Sequence, residues 1–147
     1  MASQRELIAQ NIVSVLKNQT EFKFGRVTRE PMTELTNMAK TAFPCVVIEG
    51  VSEQRQDITQ GGSGILRQSE ADYSVYVYVM AGGNEQDTER NAVIEAVENL
   101  LDRDRTRGGH AMDTELISID VQELSIQPFV TIRLVVRVTY HYLRGQS

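Results

Sequence analysis

A chain of 147 residues with 41% hydrophobic and 24% charged residues has the length and make-up of one soluble folded unit. Its net charge of −5 speaks against a dedicated nucleic-acid binder, which must neutralise phosphates with Lys and Arg. The single cysteine, Cys45, excludes an intramolecular disulfide and a cysteine-built zinc site, which makes the cytoplasm the expected compartment. Neither an export signal nor an apolar run of membrane-spanning length is visible, so no membrane association is expected.

The first helix is expected over Gln4–Asn18. Ser3 and Glu6 have the spacing of a capping box, and Leu7, Ile8, Ile12, Val15 and Leu16 recur at helical intervals. A short strand follows over Phe22–Thr28 and stops before Pro31. Met32–Ala42 reads as a loop with a helical turn. Pro44 opens a β-branched strand over Cys45–Glu49. Glu53–Ser63 is polar and runs into Gly61-Gly62-Ser63-Gly64, which reads as a long mobile loop at about residues 53–67.

A long strand is expected over Ile65–Met80, because Tyr73, Val75, Val77 and Val79 alternate with Ser74, Tyr76, Tyr78 and Met80. A second helix spans Thr88–Leu101, with Asp87 and Thr88 as cap candidates and Val93, Ala96, Val97, Leu100 and Leu101 as its apolar stripe. Gly108-Gly109 ends that region. Leu116–Ile126 and Phe129–Leu143 read as an antiparallel hairpin across Pro128. In the last strand Val130, Ile132, Leu134, Val136, Val138, Tyr140 and Tyr142 share one face, and Thr131, Arg133, Val135, Arg137, Thr139 and His141 the other. The expected fold is therefore α+β: one domain over 1–147, a mostly antiparallel sheet of about five strands, two helices packed on one face.

No constellation of side chains points to catalysis. His110 and His141 lie on different elements, outside any triad or metal pattern. The glycine run leads into a strand and lacks the Gly-Lys-Ser/Thr ending of a phosphate loop. Asp102, Asp104, Thr106 and Asp113 match calcium-loop positions, but Arg107 stands where the turn needs glycine and arginines interleave the carboxylates, so a solvated salt network is expected. Cys45 sits among apolar residues that suppress thiolate formation. Hence no enzyme, no metal and no cofactor is expected.

The positive indications concern assembly. Fifteen extended residues reach about 50 Å, more than the roughly 38 Å breadth of a compact domain of this size. Ile65–Met80 and Phe129–Leu143 should therefore bend or project, exposing strand edges that a lone molecule rarely leaves open. Tyr76, Tyr78, Val135, Arg133 and Arg137 point away from the helices, and Tyr and Arg are enriched at interfaces. Arg133, Arg137 and Arg144 have little nearby in sequence to offset them, so a local basic stripe is conceivable.

The order of segments resembles the tail terminator (tail completion, head-tail joining) proteins of long-tailed bacteriophages. The resemblance runs through Arg5-Glu6-Leu7-Ile8-Ala9-Gln10-Asn11-Ile12-Val13, Thr28-Arg29-Glu30-Pro31, Ala42-Phe43-Pro44-Cys45-Val46-Val47 and Asp57-Ile58-Thr59-Gln60-Gly61-Gly62. It continues in Asp87-Thr88-Glu89-Arg90-Asn91, Asp102-Arg103-Asp104-Arg105-Thr106-Arg107-Gly108-Gly109 and Val138-Thr139-Tyr140-His141-Tyr142. It implies a structural virion subunit, assembled in the host cytoplasm, that forms a homo-oligomeric ring, a hexamer by the family's habit. Such a ring caps the head-proximal end of the tail tube, stops polymerisation of the tube protein and joins the tail to the head-neck connector, with DNA only as transient cargo. The candidate interface residues are Ile58, Gln60, Ile65, Arg67, Tyr76, Tyr78, Arg103, Arg105, Arg107, Arg133 and Arg137. The rival expectations are a neck or head-completion ring, the tube subunit itself, a monomeric ligand-binding α+β domain and, last, an enzyme.

Overall fold

A computed structural model describes residues 3–19, 24–29, 44–58, 66–80, 86–123 and 129–143. Helix α1 spans Gln4–Asn18, as its capping box predicts: the Ser3 hydroxyl accepts from the Glu6 amide at 3.2 Å, satisfying a first-turn donor. Strand β1 is Arg26–Thr28, β2 Cys45–Asp57 and β3 Leu66–Met80; α2 is Gln86–Asp102, β4 Asp113–Glu123 and β5 Phe129–Leu143. α2 begins early enough that Asp87 and Thr88 lie in its first turn rather than capping it. The helical stretch considered within Met32–Ala42 and the turn across Pro128 lie outside the described residues.

The five strands form one sheet in the order β1-β2-β3-β5-β4. β1 pairs parallel to β2, and every other neighbouring pair is antiparallel, so the sheet is mixed and mostly antiparallel. β3 and β4 run in the same direction on either side of β5, and α2 is the crossover between them, the connection a parallel relation requires. The core gathers Ile8, Ile12 and Leu16 of α1, Val93, Val97, Leu100 and Leu101 of α2, and one face of the sheet. That face holds Val46, Ile48, Tyr73, Val75, Val77, Val79 and the alternate positions Ile132 to Tyr142 of β5. Both helices thus cover the same face, as expected for this α+β class.

Two expectations are corrected. Glu53–Asp57 is not loop but the outer half of β2, in unbroken register with β3 from Ser52↔Asp72 to Asp57↔Arg67. A bulge at Gly50/Ser52 adds one residue, which turns Glu53, Arg55 and Asp57 toward the helix side. Polar side chains on both faces hide such a strand from any test for apolar alternation. The last strand is also not an exposed edge: β5 lies between β3 and β4, and the terminal strands among the described residues are β1 and β4. β4 stops at Asp113↔Thr139, so the outer ends of β2, β3 and β5 continue past it as a three-stranded ribbon.

Candidate assembly surface

The sheet face away from the helices is built by cross-strand pairs between β3 and β5: Ser74↔Val135, Tyr76↔Arg133 and Tyr78↔Thr131. Strand alternation puts Cys45 and Val47 of β2 on the same side, where both are buried. Arg133 Nε donates to Ser74 Oγ at 3.1 Å, which lays the guanidinium along the strand beside Tyr76. Arg137 grips Asp72 with two donors at 3.0 and 3.3 Å, and Glu70 stands 4.0 Å away. Arg137 is therefore offset across the sheet by carboxylates remote in sequence, whereas Arg133 bonds a neutral hydroxyl and Arg144 lies outside the described residues. Burial, with Tyr76, Cys45 and Glu49 nearby, pushes the Tyr78 phenol above its usual range, so Tyr78 offers neutral, amphipathic contact area.

On the helix side of the ribbon a polar cluster replaces the aliphatic core. Glu53 accepts from Ser69 Oγ at 2.7 Å, from Arg55 at 2.8 Å and from the Tyr140 hydroxyl, and Arg5 of α1 lies at 3.5 Å. Burial alone would raise the Glu53 carboxyl, but the hydrogen bonds from Tyr140, Ser69 and Arg55 outweigh it and hold the group below the ordinary range. Arg55 also stacks 4.9 Å over the Tyr142 ring, and Tyr73 donates to the Arg5 carbonyl at 3.2 Å. Arg67 meets Asp57 at 2.8 Å near the ribbon tip, where Ile58 is exposed.

A cleft of about 450 Å³ lies between the first turn of α1 and the β2 bulge, lined by Arg5, Glu6, Arg29, Glu53, Asp72 and Tyr73 among others. Its charged walls are already engaged with protein: Arg29 with Glu6 at 2.6 Å, Arg5 with Glu53, Asp72 with Arg137. A ligand there would have to displace these pairs. Among the described residues no group of three or more metal-ligating side chains converges, and no helix is long and apolar enough to cross a membrane.

The segment after α2 combines a tight structural turn with a solvated ion pair of the kind expected. Asp104 accepts from the Thr106 amide and hydroxyl and from the Gly108 amide, which holds its carboxyl below the usual range. Arg105 makes a two-pronged pair with Asp113 at 2.6 and 3.0 Å. Arg107, expected at an interface, is instead fully buried, and its guanidinium donates to the carbonyls of Leu101 and Asp104 at the end of α2. It has the positive φ of 50° that the following turn needs, and Gly108 and Gly109 continue it at 70° and 88°.

The structure therefore brings Tyr76, Tyr78, Arg133 and Arg137 onto one patch and sets Ile58 and Arg67 at the ribbon tip. Arg103 and Arg105 are exposed at a third place, after α2. Gln60 and Ile65 lie outside the described residues. Sequence reasoning missed the apolar row Ile117, Ile119 and Val121 of β4, each 40–43% exposed. The signal was the adjacent pair Leu116-Ile117, where one alternating phase breaks off and another begins; a bulge between Leu116 and Ser118 realises that break.

No protein-family model matches the chain, and no characterised protein matches it in sequence. Among solved structures, a chain of the virion of a native gene transfer agent particle shares the fold at a TM-score of 0.50 and 14% identity, with 92% of each chain covered.

Proposed function

We propose that this chain is a structural, non-catalytic virion protein: a ring-forming tail terminator that caps the head-proximal end of a tail tube and joins it to the head connector. The observation that carries the reading is the likeness of fold, over nearly the whole of both chains, to a component of a phage-like particle. The segment order that resembles tail terminators supports the same role. The Tyr76–Arg133 face and the polar ribbon offer two separate surfaces, as a subunit touching both its neighbours and a tube requires. The acidic balance of the chain suits a channel through which DNA slides without adhering.

The test is the solution mass of the purified protein, followed by electron microscopy with and without assembling tube subunits. A closed ring that limits tube length supports the terminator role. Open-ended tubes of this chain alone would assign it as the tube subunit instead. A particle that stays monomeric at high concentration and leaves tube growth unchanged would refute the reading.

A further inference from the structure

Exposed apolar surface gathers at one strand. Met112, Ile117, Ile119 and Val121 are four of the five large apolar side chains that stand exposed among the described residues, and all four lie on β4 or just before it. Ile119 and Val121 are in register with the buried Leu134 and Ile132, hence on the helix side of the sheet, yet they are 42% and 43% exposed. For a right-handed crossover from β3 to β4, the flank of α2 beside them is that of Ile94 and Glu98, one turn apart and both half-buried. The result is a shallow trough with an apolar floor, walled by α2 on one side and open on the other. The β4 backbone is not what it offers. The bulge between Leu116 and Ser118 and the acidic residues along the strand oppose ladder pairing at that edge, so the available surface is one of side chains.

Charge selects the occupant. Glu98 of α2 and Glu115 and Asp120 of β4 frame the trough, and among the described residues none of the three forms an ion pair. The chain's own cations are turned elsewhere. Arg105 and Arg137, both near Glu115, are held by Asp113 and Asp72. Arg133 stands in register with Asp120 but donates to Ser74 on its other side. Arg5, Arg29, Arg55 and Arg67 likewise face carboxylates, and Arg26, Arg90 and Arg103 are engaged as well. A second copy would therefore bring the trough more negative charge and few cations to answer it.

We infer that the trough along β4 receives a segment of another protein in which apolar side chains are flanked by lysine or arginine. The apolar groups cover Ile119 and Val121, and the cations meet Glu98, Glu115 and Asp120, which orients the segment along the strand. The partner is not a further copy of this chain, so the inference goes beyond the ring-forming reading and does not require it.

The probe is a labelled synthetic amphipathic peptide of leucine and lysine, beside its leucine–glutamate counterpart, titrated against the full chain by fluorescence anisotropy. The leucine–lysine peptide should bind and its counterpart should not. Ile119→Thr with Val121→Thr, which keeps strand-forming residues, should weaken binding about tenfold. Glu98→Gln with Asp120→Asn should weaken it at low salt and flatten its salt dependence. This surface pair keeps the test decisive if circular dichroism shows that the threonine pair unfolds. Glu49→Gln, at an exposed carboxylate of β2 away from the trough, should change nothing. Binding that ignores both pairs, or that Glu49→Gln weakens equally, is the general attraction of a cationic peptide to an acidic protein and overturns the inference, as does no binding at all. A wild-type oligomer that the threonine pair breaks into single chains would show that a second copy covers the trough. That result overturns the inference and leaves ring formation standing.

Discussion

The Tyr140 hydroxyl of β5 donates to the Glu53 carboxylate of β2 over the intervening strand β3, whose Ser69 donates to the same oxygen. One half-buried carboxylate thereby ties three strands together and, through Arg5, connects them to the start of α1. The outer ribbon is held to the body by this cluster rather than by aliphatic packing.

Glu53→Gln keeps the shape but removes the charge that three donors address. Loss of charge-assisted hydrogen bonds at a largely buried site should cost about 1–3 kcal/mol, read as a lower urea midpoint with an unchanged slope. The loss should concentrate in the ribbon, so amide exchange at Arg55–Asp57 and Tyr140–Leu143 should accelerate most. An equal rise in exchange across the whole sheet would refute the idea of a local tie.

The same carboxylate sets a pH dependence. Its folded pKa is depressed below the ordinary value of 4.5, so its contribution is complete above that value and disappears as pH falls through the folded pKa. The wild type should therefore lose stability below about pH 4.5 more steeply than Glu53→Gln, and the two unfolding curves should converge in acid. Parallel curves would remove Glu53 as the source.

Arg107→Ala should destabilise by about 1–3 kcal/mol, because the carbonyls it caps at the end of α2 lose their donor in a buried place. Burial, partly countered by Asp104 and Asp102, holds the guanidinium below its usual range. Thermal unfolding of Arg107→Ala beside the exposed control Arg103→Ala measures the difference, and the control should be near neutral.

The two glycines that follow separate backbone strain from crowding. Either Gly→Ala change forces an L side chain to positive φ at a cost of roughly 1–2 kcal/mol. At Gly108 the new Cβ would also stand 3.2 Å from Asn11 Nδ2, while at Gly109 it meets nothing within 4 Å. Gly108→Ala should be the more destabilising of the two in a denaturant titration.

Cys45 is fully buried, and burial, slightly relieved by Arg26, raises its thiol above the ordinary value. An aromatic disulfide reagent at pH 8 should leave it unmodified in the native protein and titrate one thiol in denaturant. Rapid native labelling would show that the outer sheet face opens.

Much of this fold was legible because its signals are local. Ser3 and Glu6 fixed the start of α1, and the alternation from Phe129 to Leu143 fixed β5 to the residue. The same alternation in Tyr73–Val79 assigned the core and outer faces of β3 correctly. What failed depends on partners far away in sequence. Glu53–Asp57 forms strand because Arg5, Ser69 and Tyr140 satisfy its side chains, and Arg107 is buried because the end of α2 lacks donors. The assembly patch was half visible: Tyr76 and Arg133 could be placed on one face by counting residues in twos. The exposed row on β4 needed knowledge of where α2 stops covering the sheet.

The single extra residue at the Gly50/Ser52 bulge makes β2 serve two interiors in succession, an oily one beneath α1 and α2 and an ionic one in the ribbon. Its phase is therefore a mechanical setting. Had Val51 taken the place opposite Asp72 as an ordinary ladder residue, Ser52, Gln54 and Gln56 would face inward and Glu53 and Arg55 water, so one peptide unit counted in or out of the ladder decides whether the ribbon is fastened to α1.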